Sequence, residues 1–456
     1  MEKIEHIGKR DVAWSYIATV VMVGSGIILL PFLLHKMSAE TIGIWNIFQT
    51  ITALVLLLDF GFRPSFARNI SYIFSGVSNL QKNGVAAVEG DAQVNYALLK
   101  GTIRAMQRFY RWVALGVFAL LATVGTAYFY FILQKYSGDR QDVMIAWILL
   151  IAINCYNLYT YYYDALMLGK GYVRRNQQIN IVAQLVYLSI AIGLIYAGLG
   201  LSAVVAAQLT ATIIRRMLFR RVFFTPELRR HLEQAEAQDT SAVLRAIYPN
   251  AVKVGLTGLG GFLVNKSAVL MGSAFLSLEQ VACYGITLQV MDVLARCATV
   301  TYESLSPRIA QCRAEKDLSS LRRYYIYATG ALICTYIAGG ISWVFLGDWV
   351  LTIIHSETTF VPTAMLCTML VISILEKNHA VSAGFIAADN RIPFFIPSLV
   401  SGAATVLLLW LFLQPLNMGI WGMILAPGIA QIAYQNWKWP SVIIRELHNR
   451  HTIPNY

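Results

Sequence analysis

The chain is written in apolar runs of about 20 residues, the length an α-helix needs to cross ~30 Å of hydrocarbon at 1.5 Å per residue. Hydrophobic residues make up 57% of the 456 positions and charged residues 13%. A water-soluble domain carries about a quarter charged residues, so this chain cannot dress itself in polar surface. Its solvent is lipid. Twelve spans can be read: 12–35, 41–61, 111–133, 143–166, 177–198, 200–218, 247–274, 279–304, 324–346, 361–387, 393–413 and 418–437. The first is too long for a cleaved signal and lacks a small-x-small cleavage site.

Basic residues orient the spans. With the N-terminus in the cytoplasm, 29 of the 36 Lys and Arg residues fall on cytoplasmic segments and three (Lys36, Lys135, Arg140) outside. That asymmetry places both termini in the cytoplasm. It also accounts for the net charge of +12: basic loops facing anionic headgroups need no nucleic-acid partner. The six cysteines are scattered without a C-x-x-C pair, so neither a disulfide framework nor a zinc site is expected.

The segment 219–246, "RRVFFTPELRRHLEQAEAQDTSAVLRAI", divides six spans from six, and its Pro226 suits the start of a short amphipathic surface helix. The expected layout is an N-terminal six-helix lobe (1–218), a cytoplasmic linker (219–246), a C-terminal six-helix lobe (247–437) and a cytoplasmic tail (438–456). "SAETIGIWNI" from Ser38 and "SLEQVACYGI" from Ser277 match at an offset of 239, each opening the second helix of its half. Six spans per half give both halves one orientation, the parallel-repeat design of many transporters.

Charges inside spans cost about 2.5–3.5 kcal/mol each on insertion scales and are informative for that reason. Lys266 lies in "GLGGFLVNKSAVLMG". Asn265 stands where a phosphate loop needs glycine, so that motif fails. Lys266 either snorkels to the outer headgroups or faces an aqueous cavity. Asp292 and Arg296 are four apart on one helical face, either as an intrahelical pair or with Arg296 free for substrate. Glu376, Lys377 and His379 crowd span ten; either the span boundary is misplaced or they form an ion-responsive element. Helical spacing groups Glu376 with His379 and displaces Lys377. Asp164 follows a tyrosine run in which Tyr159 and Tyr163, four apart, can share a face and stack on sugar; interfacial tyrosines are the plainer reading. Asp59 and Arg63 close span two, again four apart. Lys253, near the start of span seven, is interfacial by position and cavity-lining by charge.

The run "GIILLPFLLHKMSAETIGIWNIFQTITALVLLLDFGFRPSFARNIS" resembles the first two helices of O-antigen and polysaccharide flippases. These belong to the multidrug/oligosaccharidyl-lipid/polysaccharide exporter superfamily. Pro31, "ETIGIW" and "LLDFGFRPSFARNIS" carry the likeness, and the span count extends it. The resemblance implies an all-α polytopic membrane protein, MATE-like, with twelve transmembrane helices in two six-helix lobes around a central cavity. It implies a non-enzymatic transporter in the bacterial inner membrane. That transporter would flip undecaprenyl-pyrophosphate-linked oligosaccharide outward by alternating access, among membrane lipids and other polysaccharide-assembly proteins. Lys266, Arg296, Arg63, Lys377 and Lys253 are then the cationic cavity for the headgroup. Asp292, Glu376, His379, Asp59 and Asp164 balance charge or couple transport to protons or sodium. Neither a metal nor another cofactor is expected. A drug/cation antiporter of the same superfamily would want an acid-dominated cavity. A major-facilitator transporter usually carries a G-x-x-x-D-R-x-G-R-like loop, which is missing here. A membrane polymerase or ligase normally needs a large outside loop, and the outside loops here are short.

Overall fold

Hydrocarbon offers the backbone no hydrogen-bond partners, so apolar runs of this length satisfy their own amides as helices. The structure is a computed structural model that describes residues 9–74, 76, 94–314, 317–388 and 393–448. Its helices are α1 (Lys9–Lys36), α2 (Ala39–Leu57), α3 (Phe62–Phe74), α4 (Tyr96–Leu120), α5 (Thr126–Leu133), α6 (Arg140–Tyr159), α7 (Tyr162–Gly169), α8 (Val173–Tyr196), α9 (Leu201–Phe223) and α10 (Pro226–Gln234). There follow α11 (Thr240–Asn265), α12 (Ser267–Phe275), α13 (Leu278–Ala314), α14 (Leu318–Ile353), α15 (Thr363–Ala387), α16 (Phe395–Leu413), α17 (Ile420–Ile432) and α18 (Gln435–His448). A single π-turn, Leu121–Gly125, joins α4 to α5.

Ten helical segments among the described residues are long and apolar enough to cross a membrane. The two expected spans outside those ten are interrupted: 247–274 breaks at Lys266, and 418–437 breaks after Ile432. Val20, Trp112, Phe345 and Leu407 each leave two thirds or more of their surface uncovered. A water-soluble protein would hide such a belt; lipid solvates it.

The repeat persists in element order. α1 ends at Lys36 and α12 at Phe275, α2 starts at Ala39 and α13 at Leu278, all 239 positions apart. Further along the chain the offset shrinks to about 220, with Leu201 opening α9 and Ile420 opening α17. The interruptions do not repeat. α2 gives way to α3 through Phe60 and Gly61, whose φ values are 46° and 69°, whereas the corresponding stretch of α13 is unbroken.

Two compact units result: residues 1–37 with 51–255, and residues 38–50 with 256–456. The first half of α2 therefore packs with the second unit. There a Cβ on Gly43 would run into the Leu278 carbonyl oxygen, so only glycine allows this approach. Asn46 accepts a hydrogen bond from Gln289 Nε2 at 2.6 Å.

The first unit's core gathers α3, α4, α7, α9 and α10 around Phe66, Ile70, Met106, Tyr110, Phe219 and Leu228, none measurably exposed. α10 begins at Pro226 as the sequence suggests, with Thr225 Oγ1 accepting the Leu228 amide at 3.2 Å. Its apolar face is not a membrane-surface one, because Leu228 is buried in protein. Lys100 Nζ donates to the carbonyls of Ala235 (2.8 Å) and Glu233 (3.4 Å), and the Gln238 amide donates to Ala97 O. The segment 219–246, expected as a cytoplasmic linker, is thus tied to α4 through these bonds. Beside the long helices, Asp317 caps α14, accepting the Ser320 amide at 3.1 Å; hydrogen bonds from Ser320 and Ser319 hold its carboxyl down at about 2.

Candidate functional site: a charged cavity in the second unit

The break at Lys266 shapes the site. α11 stops at Asn265, α12 restarts at Ser267, and Lys266 between them has φ −126° and ψ −16°. Its ammonium lies 2.8 Å from Asp292 Oδ2 of α13. Asp292 is therefore paired across helices, and of the two readings of Asp292 and Arg296 the intrahelical pair is not formed. A lysine stem released by the helix break reaches the carboxylate first. Arg296 is exposed, lines the same cavity and makes no ion pair among the described residues.

The cavity measures about 500 Å³. Lys266, Asp292, Arg296, Glu376 and Lys377 supply its charges; Tyr284, Leu288, Met291, Met369, Ile372 and Pro427 supply much of its apolar wall. Every lining residue belongs to the second unit. Three cations face two carboxylates, a surplus of one positive charge. Lys377 curls back to Glu376 at 2.8 Å, so the helical-wheel expectation that Glu376 groups with His379 and excludes Lys377 fails. A four-carbon stem spans the 100° between neighbouring residues. His379 instead bonds Asn436 of α18 through Nδ1 at 2.7 Å and is not among the cavity-lining residues. Lys253 lies in α11, with its side chain outside the described residues.

The remaining expected site residues lie in the first unit, in a separate polar centre. Asp59 and Arg63 do not share a helical face, because the α2–α3 turn falls between them. The Asp59 carboxylate accepts the Arg63 amide at 3.1 and 3.2 Å and the Tyr110 hydroxyl at 2.6 Å. The Arg63 guanidinium lies over the Tyr161 ring, 5.1 Å from its centroid. Asp164 is ion-paired with Arg216, both nearly sealed from solvent. Arg216 Nη2 donates to Asn157 Oδ1 at 2.6 Å, and Arg215 Nη2 donates to the same oxygen at 3.3 Å. Two guanidiniums sharing one acceptor repel each other, and Asp164 and Asn157 oppose that repulsion.

Tyr159 and Tyr163 do not form a common sugar platform. The helix breaks at Thr160–Tyr161, leaving Tyr159 exposed and Tyr163 buried against Tyr162 (centroids 4.4 Å apart). Sequence reasoning missed Tyr110, Asn157, Tyr161, Arg215 and Arg216. The signal for the arginines was present: the pair falls inside the sixth expected span, and a lone Asp164 sits in the fourth.

No family model and no curated protein matches the chain. Solved structures do match. An inward-facing multidrug resistance MATE family transporter of the MOP superfamily aligns with a TM-score of 0.65 at 14% identity, over 95% of this chain and 96% of its own. The MATE multidrug transporter DinF-BH aligns at 0.64 and 13%, over 98% of both. A MOP superfamily transporter from Pyrococcus furiosus, described as having a binding pocket of reverse polarity, aligns at 0.50 and 12%, over 97% of both. Identity this low speaks to fold alone: the chain is an all-helical, multi-pass membrane protein with the MATE transporter fold.

Proposed function

We propose that this protein is a flippase that moves an undecaprenyl-pyrophosphate-linked oligosaccharide from the inner to the outer leaflet of the bacterial inner membrane by alternating access. The observation that carries the reading is Arg296, which makes no ion pair among the described residues, in a cavity whose other cations are already held by Asp292 and Glu376. A desolvated diphosphate needs fixed donors to replace its water, and a guanidinium supplies them in a bidentate fork. The apolar wall suits the reduced polarity next to a lipid stem that stays in the bilayer. The basic bias of alternate loops supports cytoplasmic termini. Outward movement of an anion runs with an inside-negative potential, ~2.3 kcal/mol per charge per 100 mV; Asp292 and Glu376 are the groups to which proton or sodium coupling would attach.

The second reading is a drug/cation antiporter, favoured by the multidrug transporters whose structures this chain resembles rather than by the charge of this cavity. The Pyrococcus transporter, for which reverse pocket polarity was taken to suggest a different function, is a precedent for judging cargo by pocket charge. Liposomes holding the purified protein decide between the two. They should speed leaflet exchange of a polyprenyl-diphosphate-linked glycan, and Arg296→Gln should abolish the gain. Transport of a lipophilic organic cation with no effect on the glycan lipid would sink the proposal.

A further inference from the structure

The polar centre of the first unit has no part in this transport reading, yet its charge is unbalanced. Consecutive residues on a helix point about 100° apart, but Arg215 and Arg216 converge on one acceptor, Asn157 Oδ1. Asp164 neutralises one of them through Arg216. The other acid, Asp59, is engaged by the Tyr110 hydroxyl and the Arg63 amide. Arg63 itself rests on Tyr161 and makes no ion pair among the described residues. Among the described residues, three guanidiniums against two carboxylates leave one positive charge.

The Nε atoms of Arg215 and Arg216 are both buried without an acceptor, and Arg216 is only 2% exposed. Buried orphan donors call for an acceptor beyond the protein's own atoms. Water would accept from them and leave the charge; an anion would do both. We propose that this arginine nest is a binding site for a small, singly charged inorganic anion of halide size. The Tyr161 and Phe219 rings lie 5.8 Å from the Arg216 guanidinium and the buried Tyr110 holds Asp59, surroundings that suit an ion and not a headgroup bearing sugar or glycerol. The bound anion ties α9 to α6 and α7, and the site stands whether or not the protein flips glycolipid.

The full chain in lipid nanodiscs tests this directly. Its thermal midpoint is measured in sodium gluconate as chloride or bromide replaces gluconate at constant ionic strength. A ligand that binds only the folded state raises the midpoint with concentration. The expected result is a halide-dependent rise of a few degrees that is lost in Arg215→Gln and kept in the surface control Arg104→Gln. Should Arg215→Gln fail to fold, Asn157→Asp serves. It supplies a fixed negative charge to both arginines, so the variant should fold without halide and show no halide response. Equal midpoints in gluconate and halide would overturn the site and leave water as the acceptor. So would an undiminished halide response in Arg215→Gln or Asn157→Asp. A rise with phosphate and none with halide would overturn the halide assignment.

Discussion

Removing an acid from the cavity should strengthen it. In the Lys266–Asp292 pair, the two side chains are 31% and 46% exposed. A freely solvated pair is worth at most about 1 kcal/mol, and a pair 4 Å apart at an effective dielectric of 20 attracts by about 4 kcal/mol. With water reaching a third to a half of each side chain, ~1–2 kcal/mol fits this pair. A diphosphate that recruits Lys266 must displace Asp292 and forgo that energy. Asp292→Asn releases the ammonium, so affinity should rise by about 5- to 30-fold. The assay is titration of a polyprenyl-diphosphate lipid into the nanodisc-embedded protein, at two salt concentrations. Arg296→Gln should move the other way, losing about 1.5–3 kcal/mol, the worth of a charge-assisted hydrogen bond, and flattening the salt dependence. Unchanged or weaker binding in Asp292→Asn, with Arg296→Gln like the parent, would refute an anion-binding role for the cavity.

Breaking the buried Asp164–Arg216 pair should cost far more stability than breaking the cavity pair. Asp164→Asn should lose about 3–5 kcal/mol in denaturant unfolding, against ~1–2 kcal/mol for Lys266→Ala. At Gly169, a Cβ would lie 2.6 Å from both the Ala67 carbonyl oxygen and the Ile70 Cβ, so Gly169→Leu should destabilise by about 1–3 kcal/mol or more through overpacking, read by thermal unfolding. Leu228→Asp should free α10 from its core, and limited proteolysis should then cut between Phe223 and Thr240 where the parent resists. The depressed pKa of Asp317 means its cap persists until pH falls toward about 2, the group contributing above its ordinary pKa of 3.8 and losing its effect as it protonates; amide exchange at Ser320 should stay slow at pH 4 and be fast there in Asp317→Ala.

Hydropathy made the helices legible because a span needs only length and apolarity, and neither depends on neighbours. The 239-residue offset between "SAETIGIWNI" and "SLEQVACYGI" marked the repeat that the helix starts at Ala39 and Leu278 bear out. Contacts that rested on continuous helical spacing failed where the helix stops. Tyr159 and Tyr163 straddle a break, Asp59 meets Arg63 across one through the backbone amide and not the guanidinium, and Lys266 is itself one. Positive φ at Phe60 is not written in that residue's type, and only the following glycine hints at it. Arg215 and Arg216 were hidden differently. Near a span end they look like ordinary topological charges, and their burial depends on Asn157 and Asp164, over fifty residues earlier.

The division of α2 sets a timetable for the chain's manufacture. Gln289, which donates to Asn46, is made 243 residues later. At about 5–20 residues per second, that is a wait of ~10–50 s. Meanwhile α10 can already clamp onto α4 through Lys100 and the Gln238 amide, finishing much of the first unit. The first half of α2 is left over, its Asn46 amide nitrogen served by Ile42 O but its amide oxygen waiting for α13. One nascent helix therefore waits about half of the chain's synthesis for its partner.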